Sequence, residues 1–350
     1  MLSGSVLAGG WTVVQRVPRP PGSTGGMSSV GYLVERMSVD GRVDRAFLKA
    51  LDMTVCLGWA MPTFEALRVV TNLYGFERDL VMRCAGLRLS KVIRSLEAGE
   101  AQLDPASMDP RWHVFSEVPY IIFEEADGDL RAAVADVSHS FEAAWSFRAL
   151  KDVAHGLQQL HGNDVEHLDL KPSNVMSVPG GFKIGDLGRA THNGDSPLNG
   201  HLAPGDPNHQ PPEIRYGWRL PDDRIRRRSI DTYHLGSIAV FTVTGCDMTS
   251  LLFRYLDPTF HPGFPGGYAS ALPFVRDAFD VVVELVGDHI DLKWRSELIQ
   301  IVRELCDPEP ERRGSARRGS GLSRYSMDRY VSKFNKLALR AEGKFRSGLL

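Results

Sequence analysis

The hydrophobic period of the chain changes once along its length. Up to about residue 123, apolar residues fall in short alternating runs bounded by turn-forming residues, the pattern of half-buried strands. Five runs predict strands: "WTVVQRV", "VGYLVERM", "RAFLKALDM", "KVIRSLEA" and "PYIIFEE". Residues 63–86, "TFEALRVVTNLYGFERDLVMRCAG", depart from this with helical composition, and Gly75 is expected to interrupt that helix. After "EEADGDL" the spacing becomes helical, with Trp145, Leu150, Val153, Leu157 and Leu160 on one predicted face. A strand-rich front and a helical back predict an α+β chain of two unequal lobes, without internal repeats.

Two stretches, 101–117 and 189–210, are longer than compact connections need and read as functional or disordered loops. "RRGSARRGSG" (312–321) reads as a basic linker. Behind it, Met327, Tyr330, Val331, Phe334 and Leu337 form an apolar stripe on a terminal helix, with Arg329, Lys333, Lys336 and Arg340 opposite. Packing on the helical lobe is the favoured use of that helix, and contact with anionic lipid the weaker one.

Composition narrows the classes. The 350 residues are 43% apolar and 24% charged with a net charge of −2, ordinary for a folded chain and without a global field for nucleic acid or membrane. Cys56, Cys84, Cys246 and Cys306 are widely separated and read as thiols in a reducing compartment. No apolar run approaches the roughly 18 residues that span a bilayer, and the N-terminus lacks a basic signal region. The expectation is a cytoplasmic protein with no membrane span and no nucleic-acid partner, its oligomeric state open.

Candidate chemistry is concentrated in "HLDLKPSN" (167–174) and "KIGDLG" (183–188). Asp169 supplies a carboxylate, Lys171 an ammonium, and Asn174 with Asp186 the oxygens a hard cation prefers. Phosphoryl transfer from ATP needs these parts. The two motifs resemble the H-R-D-x-x-x-x-N and D-F-G motifs of the protein kinase superfamily. "AFLKALD" is similar to its V-A-I-K strand, "NHQPPE" to A-P-E with Glu213 as the acid, and "DTYHLG" to the helix whose Asp231 braces the catalytic loop. "CDPEPERRG" resembles the closing segment, with Arg313 expected on Glu213. The resemblance covers about residues 10–314, with the landmarks in order.

The resemblance implies a bilobal kinase-like fold with an N-lobe over about 1–123, a hinge over 124–129 and a C-lobe over 130–314, followed by a linker and helix over 315–350. It implies ATP and Mg²⁺ as cofactors. Asp169 would position and deprotonate the acceptor, Lys171 and Lys49 would offset phosphate charge, and Asn174 and Asp186 would hold Mg²⁺. The glycine loop is laid on "GSTGGMSSVGYLV", with Gly26 central and Ser29 at the third glycine. Phe123 takes the gatekeeper place, and Glu124 to Ala126 the nucleotide-facing hinge. Lys171 marks the serine/threonine subclass, so the expected acceptor is a Ser or Thr hydroxyl on protein, and the chain as a whole reads as a kinase of the bacterial or bacterial-like kind. The alternatives are an ATP-binding pseudokinase scaffold and a small-metabolite kinase.

Several positions stay open at this level. By spacing Lys49 would pair with Asp79, by residue type with Glu77, and helix periodicity favours Glu77 over Asp79 and the more distant Glu65. Leu168 stands where the family usually has an arginine that grips a phosphorylated segment, which reads as lost regulation rather than lost catalysis. Thr191 and Ser196 are candidate phosphorylation sites. His192, His201 and His209 fit no zinc spacing. The run 219–229 reads first as a solvated basic loop, and second as a groove in which Arg226, Arg227 and Arg228 receive acidic peptides.

Overall fold

The computed structural model describes residues 2–18, 28–103, 115–136, 142–196, 205–316, 319 and 321–346. Two compact units divide the chain after Asp127. In the first, β1 (Thr12–Arg16), β2 (Ser29–Met37), β3 (Val43–Leu51), β4 (Ser95–Gln102) and β5 (Glu117–Glu124) make an antiparallel sheet in the order β1-β2-β3-β5-β4. The alternation along β3 decides what each face does. Ala46, Leu48 and Ala50 join Trp11, Val34, Tyr120 and Ile122 in one core, while the intervening Phe47 and Lys49 point to the other face.

A 24-residue helix, α1 (Thr63–Gly86), belongs to the same unit and buries Ala66, Val70, Glu77, Leu80 and Val81. Tyr74 donates from its hydroxyl to the carbonyl of Tyr120 at 2.9 Å, tying the helix to β5. The interruption expected at Gly75 does not occur. Glycine costs a helix about 1 kcal/mol relative to alanine, which is a penalty and not a stop. The buried residues on both sides of it outweigh that cost. Of the predicted strand "KVIRSLEA", only the part from Ser95 onward is β4.

The second unit opens with β6 (Gly128–Asp129) and α2 (Leu130–Asp136), followed by α3 (Ala143–His161) and β7 (Val165–Glu166). The hairpin β8 (Val175–Val178) and β9 (Gly181–Ile184) pairs with β6, and β10 (Thr191–His192) pairs with β7. The helices α4 (Pro212–Arg215), α5 (Asp223–Thr244), α6 (Met248–Tyr255), α7 (Gly267–Asp288), α8 (Leu292–Cys306) and α9 (Asp328–Arg346) complete it. Helix α5 is its axis, buried from Arg228 through Val240 and packed on α3, α6 and α8. Asp222 caps its start by accepting from the Ile225 N–H at 2.9 Å, and Gly245 ends it in the left-handed region at φ 70°.

Two expectations change here, and the packing expected of the terminal helix is observed. The run 219–229 is not a solvated loop: from Asp223 it is the first turns of α5, and Arg228 is buried. The segment read as a basic linker begins in the core, with Arg313 and Ser315 fully buried. The terminal helix α9 lies on α3, with Tyr330, Phe334 and Leu337 buried. Its basic face is also taken, because Arg329 and Lys333 reach Glu304 and Arg340 reaches Glu297 on α8. Among the described residues no single helix is long and apolar enough to cross a membrane.

Nothing lies within 4 Å of where a Cβ on Gly75 would stand. Gly75→Ala is therefore expected to stabilise the protein by about 0.5–1 kcal/mol. The check is the urea midpoint, which should rise with an unchanged slope.

Candidate active site

In the first unit, Lys49 lies opposite Gly31 of β2 and Ile121 of β5 in the sheet register. Its Nζ donates to Oε1 of Glu77 on α1 at 2.6 Å. Asp79 faces away and pairs with Arg78, as helical periodicity requires once Glu77 is turned inward. Ser29 begins β2, opposite Leu51, and Gly26 lies outside the described residues. Glu124 ends β5; its N–H donates to the carbonyl of Arg94 at 2.9 Å, and its carboxylate accepts from the Arg94 N–H at 2.7 Å. Ala126 follows in irregular backbone and is half-buried.

In the second unit, Asp169, Lys171 and Asn174 converge on the loop after β7, and all three are buried. Asn174 donates from Nδ2 to the carbonyl of Asp169 at 2.8 Å, so the loop folds back on itself. The Gly185 N–H donates to the Asn174 carbonyl at 2.8 Å, and His167 Nε2 stands 3.0 Å from the Gly185 carbonyl. These bonds fasten the turn carrying Asp186 to the loop carrying Asp169. Burial raises the Asp169 pKa, Lys171 pulls it back and Asp186 adds a smaller push, with a net rise above the ordinary value.

Asp206 joins this cluster, and the sequence reading missed it. Its carboxylate lies 3.2 Å from Nζ of Lys171, which is also 3.4 Å from Asp169. Its backbone N–H donates to Oδ1 of Asp169 at 2.6 Å. The approach depends on Gly205, at φ 81°, where an added Cβ would stand 2.6 Å from the Leu168 carbonyl. The available signal was an acid set between Gly205 and Pro207 in a long loop. Its target, 35 residues earlier, was not visible in that pattern.

Leu168 has a left-handed backbone, φ 60°, and Asp186 has φ 56°. For a bulky residue this conformation is strained, and it persists only where neighbours enforce it. The enforcer is Asp231 of α5, which has no solvent contact. Its Oδ2 accepts from the His167 N–H at 2.9 Å, its Oδ1 from the Leu168 N–H at 2.8 Å, and His161 Nε2 stands 2.8 Å from Oδ2. Burial alone would push this carboxyl up. The bond from His161 and the nearby histidines overcome that and hold it at about 2.

Glu213 and Arg313 make the expected pair as a two-pronged fork, Nη1 to Oε1 at 2.8 Å and Nη2 to Oε2 at 2.9 Å. Arg313 also donates to Oγ of Ser229 at 3.0 Å and to the carbonyl of Asp307 at 3.0 Å. The fork joins α4, α5 and the segment after α8. Among the described residues no group of three His, Cys, Asp or Glu side chains is placed to hold a metal, and His201 lies outside those residues. Arg227 and Arg228 do not line a peptide groove as free cations, since both are bound to Glu166.

The family model of the protein kinase domain matches residues 111–320, well over half of the chain. The chain belongs to the protein kinase family. Lys49 and Glu77 lie ahead of the matched residues. Among curated proteins, the chain is 27% identical over 177 residues to the serine/threonine-protein kinase/endoribonuclease IRE1a of Arabidopsis thaliana, covering 48% of this chain and 18% of that protein. It is 37% identical over 94 residues to the serine/threonine-protein kinase AfsK of Streptomyces coelicolor, covering 27% and 11%. It is 29% identical over 185 residues to the serine/threonine-protein kinase SSN3 of Gibberella moniliformis, covering 50% and 37%. The matches thus span a tenth to somewhat over a third of the relatives' lengths.

Two stability measurements follow from this geometry. The folded-state pKa of Asp231 lies below its unfolded value of 3.8. The stability it contributes is complete above pH ~4 and is lost as pH falls towards 2, on the order of 2 kcal/mol. An acid titration of unfolding free energy should show that loss, and Asp231→Asn should remove it. Glu213→Gln, which leaves a buried guanidinium without its counter-charge, should cost about 3–5 kcal/mol by denaturant unfolding.

Proposed function

We propose that this chain is a working serine/threonine protein kinase that transfers the γ-phosphate of ATP to protein hydroxyls with Mg²⁺. The observation that carries the proposal is the buried Asp169–Lys171–Asn174 cluster on a loop whose backbone is held by Asp231. Asp169, with its pKa raised, would orient the acceptor hydroxyl and take its proton. Lys171 would offset negative charge on the transferred group, and Lys49, held by Glu77, would meet the other phosphates.

The donor set suits a hard cation. Asn174 commits its Nδ2 to the Asp169 carbonyl. Its Oδ1, beside the Ser173 hydroxyl at 3.3 Å, and the Asp186 carboxylate would be the oxygen ligands. Two protein oxygens fit a Mg²⁺ that completes its shell with water and phosphate, as this ion commonly does. When bound, Mg²⁺ would neutralise phosphate charge and ATP would supply the phosphoryl group. The four cysteines are free thiols, which supports a reducing, cytoplasmic setting as part of the same proposal.

A second reading, an ATP-binding scaffold without transfer, is favoured by one observation: the ammonium of Lys171 is already bridged to both Asp169 and Asp206. Labelled γ-phosphate transfer decides between the two. With Mg²⁺, the wild type should label Ser or Thr of protein acceptors, and Asp169→Asn and Lys49→Met should each lose at least about a hundredfold in rate. No label on protein, with ATP still raising the melting temperature, would favour the scaffold. Label found only on small metabolites would overturn the protein-acceptor reading.

A further inference from the structure

Glu166, three residues before Asp169, ends β7 with its side chain almost wholly buried. Its Oε2 accepts from the Thr191 hydroxyl at 2.8 Å and from Nε of Arg227 at 3.0 Å. Its Oε1 accepts from Nε of Arg228 at 2.9 Å, and Nη2 of Arg228 continues to the His161 carbonyl at 2.7 Å. One carboxylate therefore joins three elements: the strand that leads into the catalytic loop, the segment that follows Asp186, and the first turns of α5.

Each connection bears on the candidate site. The ladder between β7 and β10 is only two residues long, too short to hold by itself. The residue after Glu166 is His167, whose N–H is bonded to Asp231. Arg228 and Asp231 are one helical turn apart on α5, so the clamp and the brace act on the same stretch of backbone.

The surrounding charges are already matched. Arg224 pairs with Asp164 and Arg226 with Asp223, while Glu166 takes Arg227 and Arg228. The small pocket beside the cluster is lined by Asp164, Glu166, Asn193, Gly194, Arg224 and Arg227. With two carboxylates against two guanidinium groups, it presents no net positive field to an incoming phosphate. Thr191 is a poor phosphorylation site for the same reason: it is buried, its hydroxyl is donated to Glu166, and a phosphate there would face a buried carboxylate.

Leu168 cannot grip a phosphate, and this arrangement makes such a grip unnecessary. We propose that Glu166 is a positioning residue, a carboxylate resident in the chain that fastens the Thr191 segment to β7 and α5. The geometry around Asp169 is then set on folding, without phosphorylation. The proposal rests on the kinase reading for its consequence in activity, but the fastening itself is independent of it.

The test uses the full chain, treated with phosphatase and checked by intact mass, as wild type, Glu166→Gln, Glu166→Asp and Thr191→Val. Thr191→Val removes one bond without stripping a buried arginine of its counter-charge, and so guards against a simple failure to fold. Amide hydrogen exchange at Thr191 and His192 should quicken by about tenfold or more in Glu166→Gln, and by less in Thr191→Val. Dephosphorylated wild type should keep its transfer rate. Glu166→Gln should lose about tenfold or more in kcat with KM for ATP unchanged, and Glu166→Asp should recover part of that loss. Unaltered exchange in Glu166→Gln would overturn the fastening, whatever the activity. Loss of transfer on dephosphorylating the wild type would overturn phosphate independence. A chain inert towards every acceptor contradicts the kinase reading instead, and the exchange rates still decide the fastening.

Discussion

The second unit is organised around a carboxylate that never meets water. Asp231, in the middle of the most buried helix of the chain, spends one oxygen on the Leu168 N–H and the other on the His167 N–H and the His161 ring. A peptide passing through a left-handed leucine would relax if it were released. Because it is held, Asp169 and Lys171 emerge from the loop in register with Asn174, and Gly185 can close the turn that carries Asp186. The position of the candidate chemical groups is in this sense a property of α5 as much as of the loop.

Other buried charges extend the same logic. The Arg313–Glu213 fork and the Glu166 clamp each place full charges out of solvent, where desolvation offsets much of the attraction. Their contribution lies less in net stability than in intolerance of alternatives, since any other arrangement strands a charge. Both converge on α5, through Ser229 in one case and Arg227 with Arg228 in the other. The helix that braces the catalytic loop is thus locked against the segments before and after it. In the first unit, Lys49 and Glu77 apply the same device between strand and helix at 2.6 Å.

Much of this was legible in the sequence because it rests on short-range pattern. The cluster of Asp169, Lys171 and Asn174 lies within one loop, and the strands announce themselves by alternation. Glu77 could be preferred over Asp79 from helical periodicity alone. What was not legible depends on long-range pairing. The arginines of 226–228 look solvated in sequence, because nothing local says that Glu166, some sixty residues earlier, will bury two of them. Asp206 looks like a loop acid until Gly205 lets it reach the catalytic loop. Gly75 misled in the opposite direction, since a local propensity of about 1 kcal/mol yields to the burial of a whole helical face.

The claim on which the rest turns is that Asp231 holds the loop carrying Asp169 in its strained form, and that the proposed phosphoryl transfer depends on it. Asn at position 231 keeps the shape but exchanges one acceptor oxygen for a donor, leaving one of the two loop N–H groups unsatisfied. The decisive measurement is the single-turnover rate of γ-phosphate transfer by Asp231→Asn, normalised to the folded fraction measured on the same sample. The account predicts a loss of about a hundredfold, the size of effect expected when a charged hydrogen bond is lost and a buried donor is stranded. A folded Asp231→Asn protein with the wild-type rate would contradict it.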